Sequence, residues 1–345
     1  MSSPSRGFNV AVVGATGVVG REMLRVLHER GFPAGSVRAV ATARSAGRRL
    51  SFDGAELTVR EVAADAFEDV HIALFSAGAA ASREWGPVAV EAGALVVDNS
   101  SAWRMAASCP LVVPEVNPDD IADNEGIIAN PNCCAIPLTM VLDVIRKEAG
   151  LYRVVVSTYQ SASGAGRKLV EELAEQTVAI AEGRPPAHPN YPHQLAYNVV
   201  PGGWKPGRDG YSEEETKIVQ EARKILHAPE LRVAVTCVRV PVPVGHGEAV
   251  FVETERPLAP ERAREVLAAA PGVKVDDDYE SQAYPTPAAV AGTDDVVVGR
   301  IRSDPSVENG LALWLVSDNL RKGAALNAVQ VAEKAIEMGV LQRNG

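Results

Sequence analysis

Cysteine is scarce. The four cysteines, Cys109, Cys133, Cys134 and Cys237, are too few for a disulfide framework in a chain of 345 residues. They form no CxxC pair and, with the six histidines, no cluster at zinc-ligand spacing, so no metal is implied. Long apolar runs are missing too. None reaches the length that crosses a membrane, and residues 1–6 lack the apolar segment of a secretory signal. Positive charge is in deficit. A formal net charge of −10 argues against nucleic acid or an anionic membrane as a partner, and leaves local basic residues to explain any binding of phosphorylated ligands. Free thiols and the lack of an export signal predict a reducing, cytoplasmic setting. What remains is average for a soluble globular protein, with 46% hydrophobic and 23% charged residues, and the length favours two domains.

Residues 8–13 form a short β-branched run that leads at once into Gly14-Ala15-Thr16-Gly17-Val18-Val19-Gly20. Apolar residues at Met23, Leu24, Val26 and Leu27 predict a helix over 21–30, closed by Gly31. Strand, glycine turn and helix in this order make a dinucleotide-binding unit. Gly14 permits the tight turn, Gly17 lets backbone approach a pyrophosphate, and Gly20 lets helix pack on strand. The candidate contacts in this unit are Gly14, Thr16, Gly17, Val18 and Val19. The spacing is G-x-x-G-x-x-G, and glycine turns also serve plain packing of helix on strand, but the flanking elements favour a nucleotide. The second strand, 37–41, ends without the acidic residue that would bind a ribose 2′-hydroxyl. Arg44 and Ser45 stand there instead and can hold a 2′-phosphate, which predicts NADP over NAD; a solvated basic loop is the plainer alternative. Strands at 71–75 and 95–97 end in Ser76-Ala77-Gly78 and Asp98-Asn99-Ser100-Ser101. In a doubly wound sheet such ends line the ligand crevice, so ribose and nicotinamide contacts are expected among them.

Asn130-Pro131-Asn132-Cys133-Cys134 precedes an apolar run over 135–142 that reads as a buried helix. A cysteine at this junction lies against unpaired N–H groups and the positive end of the helix dipole, both of which favour the nucleophilic thiolate. A small buried core residue is the competing reading, and the chemistry of the sequence does not choose between the two thiols. Residues 152–160 read as a strand ending in Gln160, whose amide either faces a pocket or lies in an ordinary loop. A small-residue turn at 161–166 and a helix over 167–182 follow. Residues 183–210, rich in proline and glycine, form a long irregular excursion of a kind that is often functional. A helix from Ser212 opens with Glu213, Glu214 and Glu215, acids suited to a helix N-terminus. The strand at 231–242 sets Arg239 among apolar residues, a position that aims a guanidinium into a cavity where it needs an anion. His246 lies between Gly245 and Gly247 at a strand end; close backbone approach there sets the imidazole outside a packed core and makes it the best of the histidines for acid–base work. A buried strand at 311–316 and the small residues of 317–328 open a last helix, expected to dock on the first domain.

Together these residues resemble the aspartate-semialdehyde dehydrogenase family. The matching pieces are residues 14–20, Ser100-Ser101 with Arg104, Asn130-Pro131-Asn132-Cys133, Gln160 with Ser163-Gly164-Ala165-Gly166, Arg239-Val240-Pro241-Val242 with Gly245-His246, and residues 317–325. They follow the family order over nearly the whole chain. The resemblance implies an α/β fold, with an N-terminal Rossmann-type doubly wound NADP-binding domain over 1–132, completed by a C-terminal helix at 318–345. An α+β catalytic and dimerisation domain would span 133–317. It implies a cytoplasmic homodimer or homotetramer that reduces L-aspartyl 4-phosphate with NADPH to aspartate semialdehyde and phosphate, reversibly, through a cysteine thioester. That reaction serves lysine, diaminopimelate, threonine and methionine biosynthesis.

By position, Cys133 resembles the acylated nucleophile, His246 the general acid–base, and Gln160 the residue that orients the bound intermediate. Arg239 would pair with the substrate α-carboxylate and Glu214 with its amino group. Arg104 and Lys217 would bind phosphate, with Asn132 in the same pocket, and Asn319, Ser163 and Gly164 would lie near the nicotinamide. The chain departs from the family at Cys134, where serine or another small residue is usual, and at Gly247, where serine is frequent. An acyl-CoA or N-acetylglutamyl-phosphate reductase on the same scaffold is the nearest alternative. A non-catalytic nucleotide-binding relative is disfavoured by the joint presence of cysteine, glutamine, arginine and histidine.

Overall fold

The computed structural model describes residues 7–341, so the expectations for residues 1–6 and for the chain after 341 lie outside the described residues. The chain forms two compact units, residues 1–131 with 324–345 and residues 132–323. Residues 318–323, which the sequence pattern grouped with the last helix, thus belong to the second unit.

In the first unit the chain runs β1 (Phe8–Val13), α1 (Val18–Glu29), β2 (Ala34–Ala41), a small hairpin of β3 (Arg49–Phe52) and β4 (Ala55–Thr58), β5 (Arg60–Glu61), β6 (Ile72–Phe75), α2 (Ala79–Glu91), β7 (Leu95–Asp98) and β8 (Ile127–Ala129). Six strands pair in the order β5-β2-β1-β6-β7-β8, all parallel. Parallel strands need crossovers, and burial on both faces explains their near-continuous apolar sequence. Val10 and Val12 of β1 pack with Met23 and Leu27 of α1 and with Val329 and Ala332 of the C-terminal helix Leu326–Glu337. Ala11 and Val13 point the other way, into a cluster with Phe67 and Phe75. Leu326, Val329 and Val331 of the C-terminal helix are buried; at about 1.5–3 kcal/mol per buried large aliphatic side chain, apolar burial dominates its docking.

The second unit runs α3 (Ala135–Ala149), β9 (Arg153–Gln160), α4 (Arg167–Ala181), α5 (Glu213–Ile225), β10 (Arg232–Arg239), β11 (His246–Glu253), α6 (Pro260–Ala268), β12 (Val273–Val275), α7 (Pro287–Val290), β13 (Val296–Asp304) and β14 (Gly310–Ser317). Its mixed sheet has the order β10-β9-β11-β14-β13-β12. The outer pairs are parallel and the inner ones antiparallel. Side chains alternate between faces, and α3 packs with β14, α5 and α6. The excursion after α4 is pinned rather than free. The Gln176 side-chain oxygen accepts the N–H groups of Leu195 and Ala196, both at 2.9 Å, and Val200 exchanges two backbone hydrogen bonds with Arg239 at 2.9 and 2.8 Å.

Candidate active site

The first unit builds a nucleotide crevice from the carboxyl ends of three adjacent strands. Gly14, after β1, has φ +87°, and a Cβ there would lie 2.4 Å from the Ser76 carbonyl oxygen. A Cβ on Gly20 would lie 2.2 Å from the Gly14 oxygen. Both positions therefore exclude side chains. Gly17 is extended and caps α1, which starts at Val18, earlier than apolar spacing alone suggests. The first turn of α1 has no acid and no side-chain cap, so its leading N–H groups and positive dipole end suit a phosphate. Thr16 Oγ1 donates to Ser45 Oγ at 3.3 Å, Ser45 is buried and Arg44 is exposed beside it. The donor set fits a dinucleotide with a 2′-phosphate.

The next strand end, after β7, is held by its own hydrogen bonds. The Asp98 carboxylate accepts the Ser100 hydroxyl at 2.6 Å and the Ser100 N–H at 3.1 Å, and burial pushes its carboxyl above the usual range against the pull of those bonds. Asn99 accepts the Asn130 amide at 2.5 Å. These bonds brace the loop in which ribose and nicotinamide contacts are expected. Arg104 is buried and donates to the backbone oxygens of Asn130 (2.9 Å) and Asn99 (3.0 Å).

The second unit places its candidates on one face of the sheet. Arg239 pairs with Gln160 across β10 and β9, His246 with Ser317 across β11 and β14, and Tyr159 with Gly247 between β9 and β11. One row across four strands is therefore Arg239, Gln160, His246 and Ser317, and the row behind holds Cys237, Thr158, Glu248 and Leu315. The thiols approach from the start of α3. Cys133, Cys134 and His246 have their ligand atoms within 4.8 Å of one another. Cys133 is half-buried and Cys134 fully buried. Burial, then contact with the Cys133 thiol, pushes the Cys134 thiol well up. That separates two residues the sequence left equivalent.

Asn132 shapes this junction. Its side-chain oxygen accepts the Cys134 N–H at 2.8 Å, its own N–H donates to Glu221 at 2.6 Å, and its amide donates to Glu214 at 2.8 Å. The acids at the start of α5 divide their work. Glu215 closes a capping box with Ser212, while Glu214 turns inward, 3.5 Å from the Gln160 amide and 3.5 Å from Lys217 Nζ. Arg239 donates to the Ser161 carbonyl at 2.7 Å and stacks 4.8 Å over Trp204, leaving its buried Nε without a partner. Trp204, from the excursion, and Glu221 have no signal in the sequence that marks them for this site.

His246 is fully buried, contrary to the expectation from its glycine neighbours. Gly245 adopts φ +93° and Gly247 packs under Trp314, so the glycines admit neighbouring groups rather than solvent. Ser161 donates its backbone N–H to His246 Nδ1 at 3.0 Å. A backbone N–H only donates, so the neutral ring carries its proton on Nε2, which has no partner. Asn319 ties the surrounding loops together, its oxygen accepting Ser161 Oγ and Ser163 Oγ at 3.1 Å and Gly245 N–H at 2.9 Å. A Cβ on Gly164 would lie 3.1 Å from both Arg239 Nη1 and His246 Nε2. Gly164→Ala is therefore expected to lower kcat/KM about tenfold or more by displacing both groups, with the melting temperature little changed; steady-state kinetics beside a thermal melt checks it.

Family models agree with this geometry. Residues 9–124 match the model described as semialdehyde dehydrogenase, NAD binding domain, and residues 142–322 the one described as semialdehyde dehydrogenase, dimerisation domain. The aspartate-semialdehyde dehydrogenase of Aquifex aeolicus is 50% identical over 339 residues, covering 97% of this chain and 100% of that one. This chain belongs to the aspartate-semialdehyde dehydrogenase family. The Bacillus subtilis member is 48% identical over 344 residues, covering 97% of this chain and 99% of that protein. Among solved structures, aspartate semialdehyde dehydrogenase II from Vibrio cholerae complexed with ASA superposes with a TM-score of 0.94 at 45% identity, covering 96% of this chain and 99% of that one. The family has a nucleotide-binding and a dimerisation domain, as the two sheets here suggest.

Proposed function

We propose that this chain reduces L-aspartyl 4-phosphate to L-aspartate 4-semialdehyde with NADPH, reversibly and with release of phosphate, in the synthesis of lysine, threonine and methionine. The observation that supports this most is the row Arg239, Gln160 and His246 on one sheet face with the Cys133 thiol against the imidazole. In this reading Cys133, as thiolate, attacks the acyl carbon and displaces phosphate, leaving a thioester. Lys217, Asn132 and Arg104 are the residues assigned to the phosphate. Arg239 holds the α-carboxylate, its orphaned Nε awaiting an anion, and Glu214 receives the amino group. Gln160 orients the acyl oxygen. When bound, NADPH supplies the hydride that reduces the thioester. His246 presents Nε2–H to the charge that develops; as imidazolium, with Nδ1–H turned to Ser161 Oγ, it gives the Nε2 proton to the departing sulfur as the thiohemiacetal collapses, and the Nε2 so freed acts as base in the reverse direction.

Gly14, Thr16, Gly17, Val18, Val19 and residues 76–78 would hold the cofactor, with Ser163, Gly164 and Asn319 at its nicotinamide end. Arg44 and Ser45 are assigned to the 2′-phosphate. Arg44→Ala is expected to lower kcat/KM for NADPH about tenfold and leave that for NADH unchanged, read from initial rates with the two cofactors. A homodimer is proposed through the open face of the second sheet, where Tyr159 and Phe251 are exposed and Trp314 is half-buried. A tetramer would add a second contact. No helix among the described residues is long and apolar enough to cross a membrane, and the four cysteines form no disulfide; a cytoplasmic site of action fits those thiols. The deciding assay follows NADPH oxidation with aspartyl phosphate, and NADP reduction with aspartate semialdehyde and phosphate. N-acetylglutamyl phosphate and an acyl-CoA serve as competing substrates. Turnover with a competitor and none with the aspartyl pair would overturn the reading.

A further inference from the structure

Buried polar atoms without a partner gather on the catalytic face of the second sheet: His246 Nε2, Arg239 Nε, Ser317 Oγ and both oxygens of Glu248. The proposed reaction uses the first two. It has no use for Glu248, a fully buried glutamate two residues after His246 on the same face of β11. Its carboxyl faces the thiols of Cys133 and Cys134; burial first, then the Cys133 charge, holds it well above the ordinary carboxylate range, while the Cys134 thiol pulls weakly the other way. A second thiol adds to this. Cys134 contacts Cys133, and the two sulfurs and a ring nitrogen of His246 lie within 4.8 Å of one another.

We propose that Cys133, Cys134 and His246 form an inhibitory site for a thiophilic divalent cation, with the Glu248 carboxyl close behind the thiols and outside that ligand set. Linear spacing hides this site, because Cys134 and His246 are far apart in sequence and meet only through the placement of α3 against the sheet. Zinc takes sulfur at roughly 2.3 Å and imidazole nitrogen at roughly 2.0–2.1 Å, which sets such donors about 3.5 Å apart. Side-chain rotation closes the remaining gap. Binding displaces to solvent the proton of each thiol that still carries one, and no oxidation is involved. Coordination through Nε2 moves the ring proton to Nδ1. There Ser161 Oγ, 3.0 Å away, accepts it by turning its own hydrogen to Asn319 Oδ1 at 3.1 Å, at the loss of the Ser161 N–H bond. Half-buried Cys133 gives the cation an entry. A cation there removes the thiolate from chemistry, so the effect on turnover rests on Cys133 being the nucleophile, whereas the site rests on the geometry alone.

The test titrates Zn²⁺ into the full-length enzyme in thiol-free buffer, during turnover, and follows Co²⁺ binding by thiolate-to-cobalt charge-transfer absorption. The expected result is inhibition that EDTA reverses. Cys134→Ser should keep most of the turnover, need about 10- to 100-fold more zinc for the same inhibition and show a weaker charge-transfer band. Equal zinc sensitivity and equal cobalt spectra in the two proteins would overturn the proposal, as would no cobalt binding to either. Cobalt binding to both thiols without loss of turnover would uphold the site and overturn Cys133 as the nucleophile.

Discussion

Cys133→Ser is expected to lower turnover by about 10⁴-fold or more, while Cys134→Ser keeps most of it. A serine hydroxyl stays protonated near neutral pH and is a poor nucleophile without a strong base, so the loss falls on the chemical step. Binding of NADP should not change. The contrast with Cys134 follows from burial. Cys133 is half-buried at the open end of the junction, whereas Cys134 is sealed in the first turn of α3 with its thiol held in the neutral form. Serine at 134 fills nearly the same volume. Rates of the two variants, with alkylation by iodoacetamide to count reactive thiols, check the assignment. Loss of activity in Cys134→Ser alone would move the nucleophile by one residue.

Arg239→Lys is expected to raise the substrate KM about 10²-fold or more and leave NADP affinity unaltered. The guanidinium is almost fully buried, fixed through Nη1 to the Ser161 carbonyl and by stacking on Trp204. Its buried Nε has no partner, which under the proposed function is left for the α-carboxylate. Lysine offers a single point charge, loses the two-pronged geometry and the flat contact with the indole, and leaves a charge buried without its partner. Inhibition by a substrate analogue that lacks the α-carboxylate should be unchanged in the variant. An equal fall in NADP affinity would remove Arg239 from the substrate site.

Much of the architecture was legible because it depends on local rules. Glycines at 14, 17 and 20 between a β-branched run and a helical pattern mark a strand, a turn and a helix whatever surrounds them, and the structure has each in place. The strand ending at Gln160 and the helix after Cys134 were equally plain. Long stretches were not. The strand Val296–Asp304 and the helix Pro260–Ala268 give no clear signal: a register shift between Gly299 and Arg302 breaks the strand's alternation, and the helix is short with only Ala263 and Leu267 buried. β11 begins at His246 itself, three residues before the alternating run 249–254 that marks a strand in the sequence.

The sequence by itself determined the kind of protein: an α/β chain with a dinucleotide turn, a cysteine at a helix start, and an arginine and a histidine on strands farther along. These follow from backbone sterics and from side-chain chemistry, which act over a few residues. Only the tertiary structure decided which groups meet. It separated Glu214 from its two acidic neighbours, buried His246 with one nitrogen fixed and the other open, and set Glu248 and Cys134 behind the Cys133 thiol. Contacts between residues some eighty to a hundred positions apart depend on strand register and helix packing; a shift of one residue would turn a strand's side chains to the opposite face and swing a helix's by about 100°.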